Sequence, residues 1–230
     1  MSILFKDVAV IVPCYNEEVY LEDVLKNLHP QFNVICVDDG SQDRSASIAQ
    51  AMGVTLLRHS KNLGQGAALQ TGFLEALGKQ YPYIATFDAD GQHDVSDLIR
   101  MTEEIKKTSY DVILGSRFLT SSYSVPLRKT ALLKMGAWIT NKCVKIKLTD
   151  THNGLRVFRR DALKKLCISE PGMNHATEII QYIAQQGLSV KEMAVVVRYD
   201  RGHSSWYEDL KRSWGLGRYF CRSILNEKIT

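Results

Sequence analysis

Two carboxylates separated by one residue follow the apolar run at residues 83–87. They belong to Asp88 and Asp90, and Gln92 places a carbonyl oxygen two residues further on. Carboxylate and carbonyl oxygens, together with substrate phosphates, are the usual ligands of Mg²⁺. The pattern therefore predicts a site for Mg²⁺ or Mn²⁺ at Asp88, Asp90 and Gln92. An Asp-x-Asp pair is also common in solvated turns, so the prediction depends on what the other strand ends carry.

Polar segments follow three more of the apolar runs. Because ligands of a parallel sheet bind beyond the carboxyl ends of its strands, these segments are expected to converge on one site. Arg117 in the last segment is favoured as a contact to an anion. The segments are Pro13-Cys14-Tyr15-Asn16-Glu17, Asp38-Asp39-Gly40-Ser41 and Gly115-Ser116-Arg117.

The segment Asn62-Leu63-Gly64-Gln65-Gly66 opens a predicted helix after the third apolar run. Backbone amides exposed at the start of a helix can bind phosphate. The segment is not a dinucleotide-binding fingerprint, because Leu69 occupies the place of the third small residue and the loop does not follow the first strand. A simple helix cap and a ligand contact are both open interpretations of it.

The elements that must position these residues alternate along the first half of the chain. Strands are expected at residues 8–12, 34–37, 54–57, 83–87 and 112–114, and helices at 17–28, 43–52, 66–77 and 95–107. Short apolar strands joined by helical crossovers form a mostly parallel sheet that is covered on both faces. The predicted fold class is therefore α/β, with a Rossmann-like sheet flanked by helices. Two later strands are expected at residues 155–158 and 193–197, with helices between them.

Two late segments combine basic, apolar and aromatic residues. Residues 125–149 contain six Lys or Arg residues around Trp138 and no acidic residue, and residues 206–230 place Trp214 and Tyr219 among basic residues. Amphipathic helices of this kind suit an anionic membrane surface. They are equally typical of helices that pack on a protein core. The expected division is one domain, residues 1–205, followed by a basic amphipathic helix, residues 206–230.

The composition is that of a globular protein, with 230 residues, 45% apolar and 23% charged, and a net charge of +4. Five scattered cysteines indicate neither a disulfide framework nor a zinc site, which favours the reducing cytoplasm. No secretory signal is evident, and no apolar run reaches the roughly 20 residues of a spanning helix. The expectation is a cytoplasmic protein, soluble or peripheral at the cytoplasmic membrane face. Nucleic acid is not expected as a partner, because no nucleic-acid-binding motif accompanies the basic charge.

Six motifs, taken in order, resemble those of the family 2 glycosyltransferases, and most of all those of the dolichyl- and polyprenyl-phosphate sugar transferases. The resemblance runs from about residue 8 to residue 205. It implies a GT-A fold for residues 1–205, a nucleotide-sugar donor and inversion at the anomeric carbon. The motifs are Pro13-x-Tyr15-Asn16-Glu17, Val37-Asp38-Asp39-Gly40-Ser41, Asn62-x-Gly64-x-Gly66, Asp88-x-Asp90-Gly91-Gln92-His93, Gly115-Ser116-Arg117 and Asp150-Thr151-x-x-Gly154-x-Arg156.

The resemblance also implies a role for individual residues. Those that would bind the nucleotide sugar are Pro13, Tyr15, Glu17, Asp39 and Asp88. Asp88, Asp90 and Gln92 would hold Mg²⁺ or Mn²⁺, and Asp90 and Arg117 would be the catalytic residues. Arg117, Arg198 and Arg201 would contact the phosphates or the acceptor, although Ser204-Ser205 replaces the usual Ser-Lys of the late loop.

A missing carboxylate indicates the class of acceptor. Many relatives carry a base for a hydroxyl acceptor in a Thr-Glu-Asp stretch, whereas this chain has Thr177-Glu178-Ile179, where Glu178 is a candidate to stand in. A phosphate monoester, with a second pKa of about 6, is already a nucleophilic dianion at neutral pH. The predicted acceptor is therefore a polyprenyl or dolichyl phosphate at a membrane surface, with a membrane protein as a further candidate partner.

Other functions compete with this prediction. A soluble family 2 transferase acting on a saccharide or protein hydroxyl would need a base. A nucleotidyltransferase usually begins with a glycine- and lysine-rich loop, and Pro-x-Tyr-Asn-Glu stands there instead. A non-catalytic nucleotide-sugar-binding protein could dispense with metal ligands, yet Asp88, Asp90 and Gln92 are all present. UDP- and GDP-sugars both remain open as donors.

Overall fold

The computed structural model describes residues 4–119, 127–144, 146–170, 172 and 174–198. Its strands and helices follow one another as β1 Phe5–Cys14, α1 Leu21–Leu28, β2 Phe32–Asp38, α2 Ser45–Ala51, β3 Thr55–Arg58, α3 Gln65–Gly78, β4 Tyr83–Thr86, α4 Val95–Lys107, β5 Val112–Ser116, α5 Leu127–Val144, β6 Arg156–Arg159, α6 Arg160–Leu163, α7 His175–Gln185 and β7 Val190–Ala194. The helix predicted for residues 206–230 lies outside the described residues, and so does Arg201.

The described strands form one sheet in the order β3-β2-β1-β4-β6-β5-β7. All neighbouring strands are parallel except β6, which runs antiparallel to both β4 and β5. Because β6 runs backwards, its first residue, Arg156, lies opposite Thr86, the last residue of β4. The loop that precedes β6 therefore reaches the same edge of the sheet as the residues that follow β4.

Apolar residues cover both faces of the sheet. Along β1, Val8, Val10 and Val12 pack beneath α1, α2 and α4, whereas Ala9 and Ile11 pack beneath α3 and α7. Side chains alternate between the two faces of a strand, so only a continuous apolar run can supply both cores. The mostly parallel α/β architecture predicted from the sequence is confirmed.

Several element boundaries differ from the prediction by a few residues, and the last strand and the first helix show why. The last strand is Val190–Ala194 and not residues 193–197, because β7 is an edge strand with half-buried side chains that does not read as an apolar run. Helix α1 begins at Leu21 and not at Glu17, because residues 17–20 form a turn in which Leu21 donates its backbone N–H to the Glu17 carbonyl.

None of the helices in the described ranges combines the length and apolar character needed to cross a membrane.

Candidate active site

The loops after β1 and β2 are joined by hydrogen bonds at the carboxyl edge of the sheet. Asn16 donates its backbone N–H to Ser41 Oγ at 3.0 Å, and Glu17 donates its own to Ser45 Oγ at 2.9 Å. The backbone N–H of Glu18 completes the junction by donating to the Asp43 carboxylate at 3.0 Å. These bonds fix the chain after β1 as a turn, which explains the late start of α1 and sets the position of Glu17.

Asp39 organises the glycine-containing segment before α3. Its buried carboxylate contacts His59 Nδ1 at 2.7 Å and accepts the backbone N–H groups of Leu63 and Gly64 at 2.9 and 2.7 Å. Gly40 beside it has φ +75°, and a Cβ there would lie 2.6 Å from the Lys61 carbonyl carbon. The acid therefore holds the loop against the end of β2, and its contact with a nucleoside stays a prediction.

An open cleft of about 620 Å³ lies beside this loop. Its lining residues are Tyr15, Gly40, Ser41, Gln42, Arg58, His59, Ser60, Lys61 and Asn62. Tyr15 is exposed on one side, and Arg58 is paired with Asp38 at 2.9 Å. Pro13 is buried in β1 opposite Val37. Sequence reasoning missed Arg58, His59 and Lys61, because the end of the edge strand β3 carries no acidic motif to mark it.

Asp88 and Asp90 follow β4, and neighbouring elements orient both carboxylates. Gln65 of α3 donates to Asp88 Oδ1 at 3.1 Å, and His93 Nε2 lies 3.2 Å from Asp88 Oδ2. Asp90 Oδ1 accepts the backbone N–H of Gln92 at 2.9 Å. Gly154 lies against Asp88, since a Cβ at that position would be 2.1 Å from Oδ2. This close contact explains why the motif that begins at Asp150 has a glycine at position 154.

Burial and neighbouring acids raise the pKa values of Glu17 and Asp90. Burial and then the charges of Asp90 and Asp88 raise the pKa of Glu17 to about 7. Burial and the charge of Asp88 likewise raise the pKa of Asp90 to about 6. Asp88 differs: burial raises its pKa, but the hydrogen bond with His93 and the charge of Arg156 outweigh burial and leave it below the ordinary value. The raised pKa values mean that the charged forms of Glu17 and Asp90 are disfavoured, and a bound cation would stabilise them.

The donor set fits part of a divalent-metal site. Within the described ranges, no three His, Cys, Asp or Glu side chains converge as a complete ligand group. Asp88 and Asp90 supply hard carboxylate oxygens. Mg²⁺ is commonly bound by one or two carboxylates, while substrate phosphates complete its coordination shell. The residues therefore fit an ion shared with a diphosphate. The ligand roles of Asp88, Asp90 and Gln92 stay predictions.

Arg117 is buried and held by Asp150 from the loop before β6. Its Nε and Nη2 donate to the two carboxylate oxygens at 2.6 and 2.8 Å. Burial opposes the charge of Asp150, yet Arg117 outweighs burial and keeps the pKa of Asp150 below its ordinary value. The pair fixes the guanidinium beside the end of β5, where its predicted contact to the reacting phosphates remains open.

Arg198 contacts the segment after β4 in two ways. Its backbone N–H donates to the Gln92 carbonyl at 2.9 Å, and its guanidinium pairs with Asp94 at 2.7 Å. The late loop is thus joined to the segment after β4, whereas a contact of Arg198 with phosphate stays a prediction.

Glu178 is engaged in holding a loop. Its carboxylate accepts the backbone N–H groups of Ser169 and Glu170 and the Ser169 hydroxyl, at 2.5 to 3.1 Å. A carboxylate that satisfies three donors is poorly placed to take a proton from a substrate hydroxyl. Glu178, the candidate replacement for the missing base, therefore serves to hold this loop.

Comparison with known proteins places the chain in a family. Residues 9–167 match the model of glycosyl transferase family 2. The chain belongs to that family, which confirms the predicted resemblance.

Two curated relatives act on lipid phosphates according to their names. A UDP-N-acetylglucosamine–dolichyl-phosphate N-acetylglucosaminyltransferase of Methanococcus voltae is 32% identical over 70% of this chain and 72% of its own. A polyprenol monophosphomannose synthase of Mycolicibacterium smegmatis is 27% identical over 81% of this chain and 75% of its own.

A solved structure shares the fold. Glucosyl-3-phosphoglycerate synthase from Mycobacterium tuberculosis, in complex with Mn²⁺, UDP and phosphoglyceric acid, superposes with a TM-score of 0.73. The match covers 92% of this chain and 76% of that one at 16% identity. The predicted GT-A fold is confirmed.

Replacing Gly154 with Ala tests the link between this glycine and Asp88. The new methyl group would collide with the Asp88 carboxylate, so we expect Mn²⁺ affinity in the presence of UDP to fall at least about tenfold. Overpacking should also cost about 1–3 kcal/mol of unfolding free energy. Gly78→Ala is the control, because nothing lies within 4 Å of a Cβ there. Unchanged Mn²⁺ affinity in Gly154→Ala would contradict the link.

The pKa of Asp90 can be measured directly by carboxylate ¹³C NMR of the metal-free protein, with Asp90→Asn identifying the resonance. We expect a midpoint near 6, because burial and Asp88 favour the protonated form. Protons then compete with a metal below that pH, so Mg²⁺ should move the midpoint downward. A midpoint near the ordinary 3.8, unaffected by Mg²⁺, would show that Asp90 is neither crowded nor a ligand.

Proposed function

We propose that this protein transfers a sugar from a nucleoside diphosphate to a polyprenyl phosphate, with a divalent metal ion as cofactor. The observation that carries the proposal is the position of Asp88 and Asp90, on the edge of the sheet that also carries the cleft with Tyr15. A nucleoside in the cleft would direct its diphosphate toward the two acids.

Binding of the donor is assigned to the predicted residues. Asp88, Asp90 and Gln92 would hold Mg²⁺ or Mn²⁺, which when bound stabilises the negative charge of the leaving diphosphate. The structure of the similar glucosyl-3-phosphoglycerate synthase contains Mn²⁺ and UDP, which supports this assignment. Arg117, fixed by Asp150, adds a positive charge that does not need to reorganise during the reaction.

A phosphate is the acceptor that fits the described residues best. Glu178 is bonded to Ser169 and Glu170, so within the described residues this candidate replacement for the family's base is already engaged. A phosphate dianion attacks without a base, since its oxygens are already deprotonated near neutral pH. The names of the two relatives, which transfer sugars to dolichyl phosphate and polyprenol phosphate, support the same acceptor class.

Helix α5 is the surface proposed to meet the membrane. Its residues Ala137 and Thr140 are buried, whereas Met135 and Trp138 are 52% and 58% exposed and lie near the exposed Lys134 and Lys142. The two interpretations of this segment are therefore compatible. One face of α5 packs on the core, and the opposite face is proposed to contact a membrane. A peripheral site at the cytoplasmic membrane face would bring the enzyme to a lipid acceptor. A membrane protein partner remains a further candidate.

Acceptor choice tests the proposed reaction. We expect sugar transfer from one of a set of UDP- and GDP-sugars to a short polyprenyl phosphate but not to the matching polyprenol, and complete loss with EDTA. Asp90→Asn should reduce the rate at least about a hundredfold by removing charge stabilisation of the leaving group. Asp23→Asn, on the exposed side of α1, is the matched control. Preferential transfer to polyprenol or undiminished turnover with EDTA would contradict the proposal.

Vesicle co-sedimentation tests the role of α5. Each lysine near an anionic surface contributes about 1 kcal/mol, so Lys134→Gln with Lys142→Gln should weaken binding to phosphatidylglycerol vesicles about thirtyfold. Leu74→Ala, which removes an exposed apolar side chain from α3, serves as control. Equal sedimentation of the double variant and the wild type would exclude α5 as the membrane-binding face.

A further inference from the structure

The guanidinium of Arg156 is buried without a partner among the described residues. Arg156 is 3% exposed and stands at the start of β6, opposite Thr86 of β4 and Leu114 of β5. Asp88 and Asp150 act on it as charges that raise its pKa, but neither is hydrogen-bonded to it. Across the described ranges, no ion pair or side-chain hydrogen bond reaches its nitrogens, and none of the three is fully closed off from solvent.

Arg159 on the same strand shows how a structural arginine is satisfied in this fold. Its Nε donates to the Tyr110 carbonyl at 2.9 Å and its Nη2 to the Ile105 carbonyl at 2.8 Å, with the Thr108 carbonyl as a third acceptor. An arginine carries five N–H donors, and burying them without acceptors is costly. Arg156 lacks such acceptors in the described part of the chain and keeps only a narrow contact with solvent, an arrangement in which a bound ligand would supply the acceptors.

Three basic side chains near Arg156 are either already paired with an acid or uncharged at pH 7, so Arg156 differs from them in offering a positive charge that no described residue pairs with. Arg117 is paired with Asp150. Burial lowers the pKa values of His152 and His175 to about 4, so both rings are neutral at pH 7. The charge of Arg156 adds to this effect at His175, and those of Arg117 and Arg156 add to it at His152 against the opposing charge of Asp150. Arg156 also lies two residues after Gly154, whose backbone packs on Asp88 at the proposed donor site.

We infer that Arg156 binds a phosphate group of a substrate in the active site. The inference rests on the proposed function and gives Arg156, which the sequence marked only as a motif position without a role, a part in substrate binding. The planar fork of a guanidinium matches two phosphate oxygens, which a lysine cannot do. The phosphate belongs either to the nucleoside diphosphate or to the polyprenyl phosphate, and the two sources are separable by experiment.

Isothermal titration of Arg156→Gln and Arg156→Lys tests the inference, with UDP and GDP as one set of ligands and a short polyprenyl phosphate in detergent as the other. Arg156→Gln should weaken one of the two ligand classes at least about tenfold, as expected for lost charge-assisted hydrogen bonds. Arg156→Lys should keep part of that affinity, and the affected class identifies the phosphate.

Arg159→Gln is the matched control, because it removes an arginine that has carbonyl partners. It should lower the melting temperature and leave ligand affinity unchanged, whereas Arg156→Gln should lower the melting temperature less. Unchanged affinity of Arg156→Gln for both ligand classes would overturn the inference alone. So would melting temperatures of both Arg156 variants below that of Arg159→Gln, since these would show a structural role. Failure of the wild type to bind either class would overturn the proposed function and the inference with it.

Discussion

The half-buried carboxylate of Asp88 at the end of β4 is the constraint on which the rest of the site depends. A carboxylate that is partly removed from water stays charged when donors and cations surround it. Three elements surround Asp88: α3 supplies Gln65, the turn after β4 supplies His93, and β6 brings the charge of Arg156. Gly154 leaves the space that the carboxylate occupies. The reversed direction of β6 is therefore what allows this acid to sit at the edge of an otherwise parallel sheet.

The loop before β6 connects the residues at the carboxyl edge of the sheet to helix α5. The loop before β6 carries Asp150, which holds Arg117 at the end of β5. His152 in that loop lies 3.4 Å from the position of a Cβ at Gly136, on the inner face of α5. A helix proposed to lie on a membrane thus packs directly on the loop that orients a proposed phosphate contact.

Much of the fold could be predicted because the apolar runs of β1, β2 and β4 are continuous and the polar segments follow them directly. The edge strand β7 could not, since its half-buried side chains carry no apolar run. Within the site, motif positions predicted roles for Asp88 and Asp90. They could not show that the Asp39 carboxylate binds the loop before α3, nor that Glu178 holds Ser169. Those partners are distant in sequence, and no local pattern encodes them. Arg156 was visible only as a motif position, because its lack of partners is a property of the packed structure.

The central claim is that Asp88 and Asp90 form a partial metal site that a nucleoside diphosphate completes. Titration of Mn²⁺ into the protein with and without a saturating nucleoside diphosphate tests it most directly. Two carboxylates leave much of the coordination shell unfilled, so we expect weak binding of Mn²⁺ alone and binding at least about tenfold tighter with UDP or GDP present. By reciprocity the nucleotide should bind more tightly with Mn²⁺ by the same factor. Affinity for Mn²⁺ that is independent of both nucleotides would contradict the claim.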